Sequence, residues 1–421
     1  MRLLMFDSKY KYMPYLMWLF PVLFFAYQFI LRLWPGLMMH QIMEQFSIDA
    51  SHFGMLAAFY YYGYAGMQIP VAMLLDRFGA RVILFAFSTI CGVSTLMFIY
   101  TESFWLAVVS RFFIGAGSAV GFLGVSKVVS QWFPKDQYAR MISLSFTVGL
   151  MGAVYGGKPV NMLIEAYSWQ QVALTLAVAS MVIGLGALLM LREPKTTVAV
   201  TEPFRWNRLR ETLASPVIWT LALANLLMVG ALEGFADVWG VQYLMTAYGI
   251  AKGEAAGLVS FVFFGMLFGG PLLATIARRV CDYSVLTMAG LGMALAFVLL
   301  FLNGSYNWWL LAVLFFTVGF LCCYQVIVFA AGSNLVPPQN LGVTVAFLNC
   351  INMLGGSFFH TSIGKIMDLY WTGTLDAENL RVYDLQTYEY ALGIVPICAV
   401  MGAVLLYGVA IKVRRHATAS S

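Results

Sequence analysis

Five charged side chains lie where this sequence is otherwise apolar, and they are the residues with chemistry to offer. Arg32 sits in FILRLWPG, Arg111 in VVSRFFIG, Lys158 in GGKPV, and Glu233 and Asp237 in GALEGFADVWG. A guanidinium holds a carboxylate through a planar two-point fork, and an ammonium holds one as a point charge. A carboxylate can bind an ammonium group or carry a proton on and off. Glu233 and Asp237 are four residues apart, so on a helix they share a face. No His/Cys metal spacing, nucleophile elbow or phosphate-cradling glycine loop accompanies them, and the four histidines (40, 52, 360, 416) are scattered. The chemistry on offer is binding and proton transfer; neither catalysis nor a cofactor is expected.

The surroundings explain why these charges stand out. The chain has 421 residues, 61% hydrophobic and 10% charged, where a soluble domain carries about 25% charged residues. Twelve apolar runs read as membrane-crossing helices, at about 20 residues per crossing. They lie near 13–38, 53–75, 82–101, 105–132, 141–163, 168–191, 216–240, 256–277, 284–302, 307–332, 342–366 and 389–412. The expected domains are residues 1–191, a polar linker over 192–215, and 216–421. Ser215-Pro216 ends the linker, with serine as N-cap and proline in the first turn. Met13–Leu33 is too long for a cleavable signal core, and none of the six cysteines falls in an expected external loop.

Orientation follows from the basic residues. With a cytoplasmic N-terminus, the cytoplasmic segments hold 17 of the 24 Lys and Arg and the external loops hold two. That asymmetry predicts an inner-membrane protein with both termini inside. The net charge of +5 therefore belongs to the bilayer surface and not to nucleic acid.

Depth then orders the buried charges. Arg32, Lys158 and Glu233 lie 17–19 residues into ascending spans, a rise of ~25–29 Å at 1.5 Å per residue. Arg111 descends ~9 Å from the outer surface. All four can meet at similar depth, with Asp237 one turn above Glu233. Charge at such depth costs on the order of 2.5–3.5 kcal/mol, so each needs a reason. The candidates are a place in the cavity or, for Arg111, helix packing, and for Glu233 and Asp237 a salt bridge to Arg32 or Lys158 that latches the two halves. Lys127 is expected to snorkel at its helix end, and Lys365 to pair with Asp368. In Tyr60-Tyr61-Tyr62 at most two rings can face inward. Tyr61 and Gln325 complete the expected binding set of Arg32, Arg111, Lys158 and Glu233.

Between the second and third runs lies PVAMLLDRFGARV, residues 70–82. Asp76, Arg77, Gly79 and Arg81 match the charged turn between helices 2 and 3 of the major facilitator superfamily, with Ala72 and Ala80 departing from it. Arg111, Gly115 and Gly117 match its RxxxGxG pattern, and Gly152, Gly156 and Gly157 match GPxxGG except for Ala153. The halves also repeat: Pro70 answers Pro271 at an offset of 201, and Pro134 answers Pro337 at 203. The chain resembles that superfamily throughout. The resemblance implies an all-α membrane protein of twelve transmembrane helices in two pseudo-symmetric six-helix bundles, with the substrate held between them. It assigns Asp76, Arg77, Gly79 and Arg81 to gating.

Arg32, Glu44-Gln45-Phe46, Asn225, Gly234, Asp237 and Trp239 resemble the organophosphate antiporter and anion:cation symporter branches. There the first branch carries a phosphate-holding arginine on helix 7, where this chain has Glu233. The second places proton-coupling acids where this chain has Leu31 and Ser118. Coupling would fall to Glu233 or Asp237. The expectation is a monomeric secondary transporter working by alternating access, taking up an amino acid or short peptide with a proton. The alternatives are an organic acid or siderophore carrier and a non-transporting receptor.

Overall fold

The computed structural model describes residues 12–192, 206–302, 307–337 and 340–419. Among them, ten helical stretches are long and apolar enough to cross a bilayer. One, Ala50–Tyr100, has 51 residues and would reach about 75 Å if straight. At Gly79 its backbone takes φ 80° and ψ 166°, a region essentially confined to glycine. There the chain doubles back. Tyr60 abuts Gly115, and Cys91 abuts Gly117, so both reach one turn of the next helix. A straight helix would hold residues 60 and 91 about 45 Å apart. The stretch is therefore two helices, α2 (50–78) and α3 (80–100). The charged turn expected over 76–81 contracts to a one-residue break, because glycine alone can reverse the chain without a loop.

The other crossings are α1 (Met13–Leu37), α4 (Phe104–Trp132), α6 (Trp169–Met190), α7 (Pro216–Tyr248), α8 (Lys252–Arg279), α9 (Asp282–Phe301), α10 (Trp308–Ser333), α11 (Leu341–Leu369) and α12 (Leu385–Ile411). Between α4 and α6 runs α5 (135–166), broken at Gly157 into Lys135–Gly156 and Lys158–Ala166. The protein is an all-α membrane protein. Residues 193–205 of the expected linker lie outside the described residues, as do Arg2, Lys9, Lys11, Lys195 and Arg205. Ser215 stands at the N-cap of α7 and Pro216 opens the helix, but the serine side chain makes no capping bond.

Small residues set the packing. Gly63 and Gly115 press onto the Phe112 and Tyr60 carbonyls, closing α2 onto α4; Gly265 and Gly319 press onto the Phe316 and Val262 carbonyls, closing α8 onto α10. A Cβ at any of the four would lie 2.0 Å or less from that oxygen. The two contacts are one device used twice, about two hundred residues apart. Helices α2 and α11 run antiparallel along one another. Gly364 meets the Ala50 carbonyl, Gly54 meets the His360 carbonyl, and Gly356 lies against the Tyr61 ring.

Candidate functional site

Proline shapes the first wall of the site. Pro35 lies inside α1 and has no N–H to give the Leu31 carbonyl four residues back. That freed carbonyl accepts instead from Arg111 Nη1 at 2.9 Å. Arg111 is buried between Trp34 and Tyr60, its guanidinium 5.9 and 5.0 Å from their ring centres. Its contacts thus tie α4 to α1, one residue from Arg32.

Arg32 reaches the other way, toward α7. Its Nε lies 2.5 Å from Asp237 Oδ2, and its Nη2 lies 3.2 Å from Asp237 Oδ1. The same Nη2 is 3.0 Å from Glu233 Oε2. That second contact is an ion pair only, off the N–H direction, and leaves Glu233 Oε2 without a hydrogen bond. Tyr61 donates its hydroxyl to Asp237 Oδ2, and its ring lies 5.7 Å from the guanidinium. Arg32 is 8% exposed and both acids are 2% or less. Residues 230–239 of α7 form a π-helical segment, a wider coil frequent at functional sites. Gly36 allows α1 to touch its backbone, since a Cβ there would sit 2.8 Å from the Asp237 carbonyl.

The remaining expected residues fall elsewhere. Lys158 is exposed at the α5 break, its stem beside Gly257 of α8; the structure does not bring it to Arg32. Gln325 is part-buried on α10 with its Nε2 unpartnered. Tyr60 donates to Gln28 Oε1 at 3.1 Å, while Tyr62 points outward. In the charged turn Asp76 pairs with Lys127 Nζ at 2.7 Å, not with an arginine or helix amide. Arg81 Nε donates to the Leu188 carbonyl at 2.6 Å, and Arg77 packs over Phe78. These contacts stay within α2–α6.

A second ionic cluster stands at the end of α2 and α11 away from the charged turn. Asp368 accepts from Arg381 Nη1 at 3.0 Å, from the Tyr383 hydroxyl at 2.5 Å and from the Ser51 amide at 2.7 Å. Arg381 Nη1 is also 3.6 Å from Asp49 Oδ2. The Ala50 amide donates to the Tyr383 hydroxyl at 3.0 Å. Lys365, expected to pair with Asp368, is exposed; the loop after α11 supplies the cation instead. Sequence spacing missed this because nothing periodic places Arg381.

Asn352, which the sequence offers with Asn349 as a polar lining of helix 11, has a neighbour that sequence reasoning missed, His360. Asn352 and His360 on α11 are fully buried, and their amide and ring polar atoms have no hydrogen-bond partner. Their spacing of eight, with Gly356 between, was the available signal.

Comparison with known proteins then places the chain. The Major Facilitator Superfamily model matches residues 19–360. The chain is 31% identical over 135 residues to the uncharacterized transporter YybO of Bacillus subtilis, a match covering 32% of this chain and 31% of that protein. It is 23% identical over 370 residues to the probable galactarate/D-glucarate transporter GudP of Escherichia coli, covering 78% and 81% of the two. Over 366 residues it is 20% identical to the membrane sensor protein UhpC of Escherichia coli, covering 79% and 81%. A bacterial homologue of the human lysosomal transporter Spinster superposes with TM-score 0.74 at 18% identity, over 95% of this chain and 97% of that one.

Proposed function

This chain belongs to the Major Facilitator Superfamily, and from that membership we propose that it is a proton-coupled secondary transporter of a small carboxylate-bearing metabolite. It works by alternating access across the cytoplasmic membrane, as a monomer with both termini in the cytoplasm. Residues 1–191 and 216–421 form the two moving bodies. The observation that carries the reading is the buried Arg32–Asp237–Glu233 cluster bridging α1 and α7.

Two carboxylates share one guanidinium there, so the cluster holds one surplus negative charge unless a proton or cation joins it. A substrate carboxylate competes with Asp237 for the Nε–Nη2 edge of Arg32. Its charge adds to the surplus, and the proton that offsets it goes to Glu233, whose Oε2 has no hydrogen bond. Substrate entry and proton uptake are thereby linked, and carboxylate affinity rises as pH falls. The probable role of GudP in galactarate and glucarate transport supports an organic acid as substrate. A second reading, a zwitterion such as an amino acid or short peptide, is favoured by the two-to-one ratio of acids to arginine, because Glu233 can receive an ammonium group.

Proteoliposomes test this with labelled hydroxy acids, dicarboxylates, amino acids and dipeptides, with and without an inward proton gradient. The reading expects gradient-driven accumulation of at least one carboxylate, abolished in Arg32→Ala. Accumulation equal in Arg32→Ala and wild type rejects it.

A further inference from the structure

The polar groups around Arg32 are unevenly satisfied. The tyrosines of α1 and α2 are bonded, Tyr27 to the Leu176 carbonyl, Tyr60 to Gln28 and Tyr61 to Asp237, while Trp34 Nε1, Gln68 Nε2 and both amide atoms of Asn225 on α7 are single unpartnered sites. On α11, the amide oxygen and nitrogen of Asn352 and both ring nitrogens of His360 have no partner, and both residues are 0% exposed. A buried polar group left unpaired carries its full desolvation penalty. Four such atoms on one helix face are a concentration of unmet hydrogen-bonding capacity that a guest would satisfy.

The face is fixed by Gly356. A Cβ at that residue would lie 2.5 Å from the Tyr61 ring, so Tyr61 lies directly over it. Asn352 and His360 stand one turn to either side, each rotated about 40° from Gly356. The His360 and Tyr61 ring centres are 5.3 Å apart. Tyr61 in turn hydrogen-bonds Asp237, so the α11 face flanks the ion cluster.

Donor and acceptor types identify the guest. A carboxylate would use only the N–H groups, and an ammonium only the acceptors. Neutral imidazole and carboxamide each offer both. We propose that Asn352 and His360 recognise a neutral substrate group that both donates and accepts hydrogen bonds, a hydroxyl or a peptide amide. The inference rests on the reading that Arg32 receives the substrate carboxylate; the two residues set which carboxylate is chosen.

The test measures binding to the purified full-length protein with two matched pairs. Tartrate is compared with succinate, and glycylglycine with 5-aminopentanoate, which has the same chain length without the amide. Wild type should favour the hydrogen-bonding member of at least one pair by about tenfold or more. Asn352→Leu and His360→Leu should reduce that ratio below about threefold, and His360→Gln, which keeps a donor and an acceptor, should restore it. Discrimination absent from both pairs, or surviving both leucine variants, overturns the proposal. A ligand-free measurement stands beside it. Leucine of similar volume removes orphaned atoms, so Asn352→Leu should unfold at or above the wild-type temperature. A fall of more than about 5 °C, the scale of a real structural loss, also overturns it. Arg32→Ala runs in parallel: undiminished binding of all four compounds sinks the carboxylate reading, while the pair ratios still judge α11.

Discussion

The cluster around Arg32 and the cluster around Arg381 use the same parts: one arginine, two carboxylates and a tyrosine hydroxyl. Both join α1–α6 to α7–α12. They differ in what surrounds them. Arg32 is 8% exposed against 35% for the Arg381 side chain. Asp368 is fed by an arginine, a hydroxyl and a helix amide, whereas Glu233 Oε2 has one misaligned ion contact and no hydrogen bond. An exposed pair is worth ~0–1 kcal/mol, while unpairing a buried one costs ~3–5 kcal/mol. The same parts therefore make a strut at the surface and a responsive site in the middle. The surface cluster is satisfied, and a ligand has nothing to add to it.

Removing the arginine from each cluster should separate the two most widely. Arg32→Ala strands two buried acids, and substrate binding should fall by about 100-fold or more. Arg32→Lys should fail nearly as badly, because an ammonium cannot fill both ends of the carboxylate fork. Equilibrium binding at wild-type affinity in either variant breaks the assignment. Next in size is Glu233→Gln. It should keep exchange of substrate across proteoliposome membranes but lose accumulation driven by a pH gradient. If amino-acid binding disappears while a monocarboxylate still binds, Glu233 holds the ammonium and Asp237 becomes the coupling group. Wild-type accumulation in both Glu233→Gln and Asp237→Asn would make the α7 acids structural.

The two clusters were not equally legible. Counting helical rise from each span's start put Arg32 and Glu233 at one depth, since α1 and most of α7 run continuously to them. The same count could not aim Lys158: Gly156 and Gly157 line one small cavity with Asp237, but past the Gly157 break the lysine is exposed. Arg111 was legible as buried, but its tie to α1 depends on Pro35 freeing the Leu31 carbonyl, a link visible in sequence only after α1 and α4 are known to touch. Asp368 has Lys365 three residues away, yet a loop residue thirteen positions on displaced it. Loops have no period, so sequence spacing could not rank those partners.

Arg381→Ala should act on population and not on contact with substrate. Opening the Asp49–Asp368 end exposes the first turn of α2, so a Ser51→Cys probe should label two- to fivefold faster with an impermeant maleimide, a shift of about 0.5–1 kcal/mol. Unchanged labelling would mean that Arg381 is no latch. Proton dependence sharpens the contrast. Partial burial disfavours charge on Asp49, but the His52 amide, the His52 ring and Arg381 outweigh it and hold its pKa below the usual carboxylate range. A depressed pKa stabilises the closed end above the free carboxyl value and loses that stabilisation only as pH falls through the lowered one. Divided by the labelling of a free thiol at the same pH, which removes the change in thiolate fraction, probe labelling should thus stay flat between about pH 8 and pH 6, while substrate affinity at the Arg32 cluster rises as pH falls. Normalised labelling that climbs by pH 6 contradicts the latch assignment.

The smallest effect belongs to the charged turn, where Asp76 and Lys127 form a single pair within α2–α4. Their side chains are 46% and 21% exposed, so the bond itself contributes at most ~1 kcal/mol. It touches neither ion cluster. Asp76→Asn should change substrate affinity by less than about twofold and slow turnover by a few-fold, since the pair steadies one arrangement of α2 against α4 without meeting substrate. Lys127→Gln should reproduce that slowing. Because both substitutions remove the same bond, the double variant should be no slower than either single one. Additive slowing would mean that each side chain has a separate task. Weakened binding at an unchanged rate would move the charged turn out of gating altogether, leaving only the Arg381 cluster to distinguish the closed arrangement from the open one.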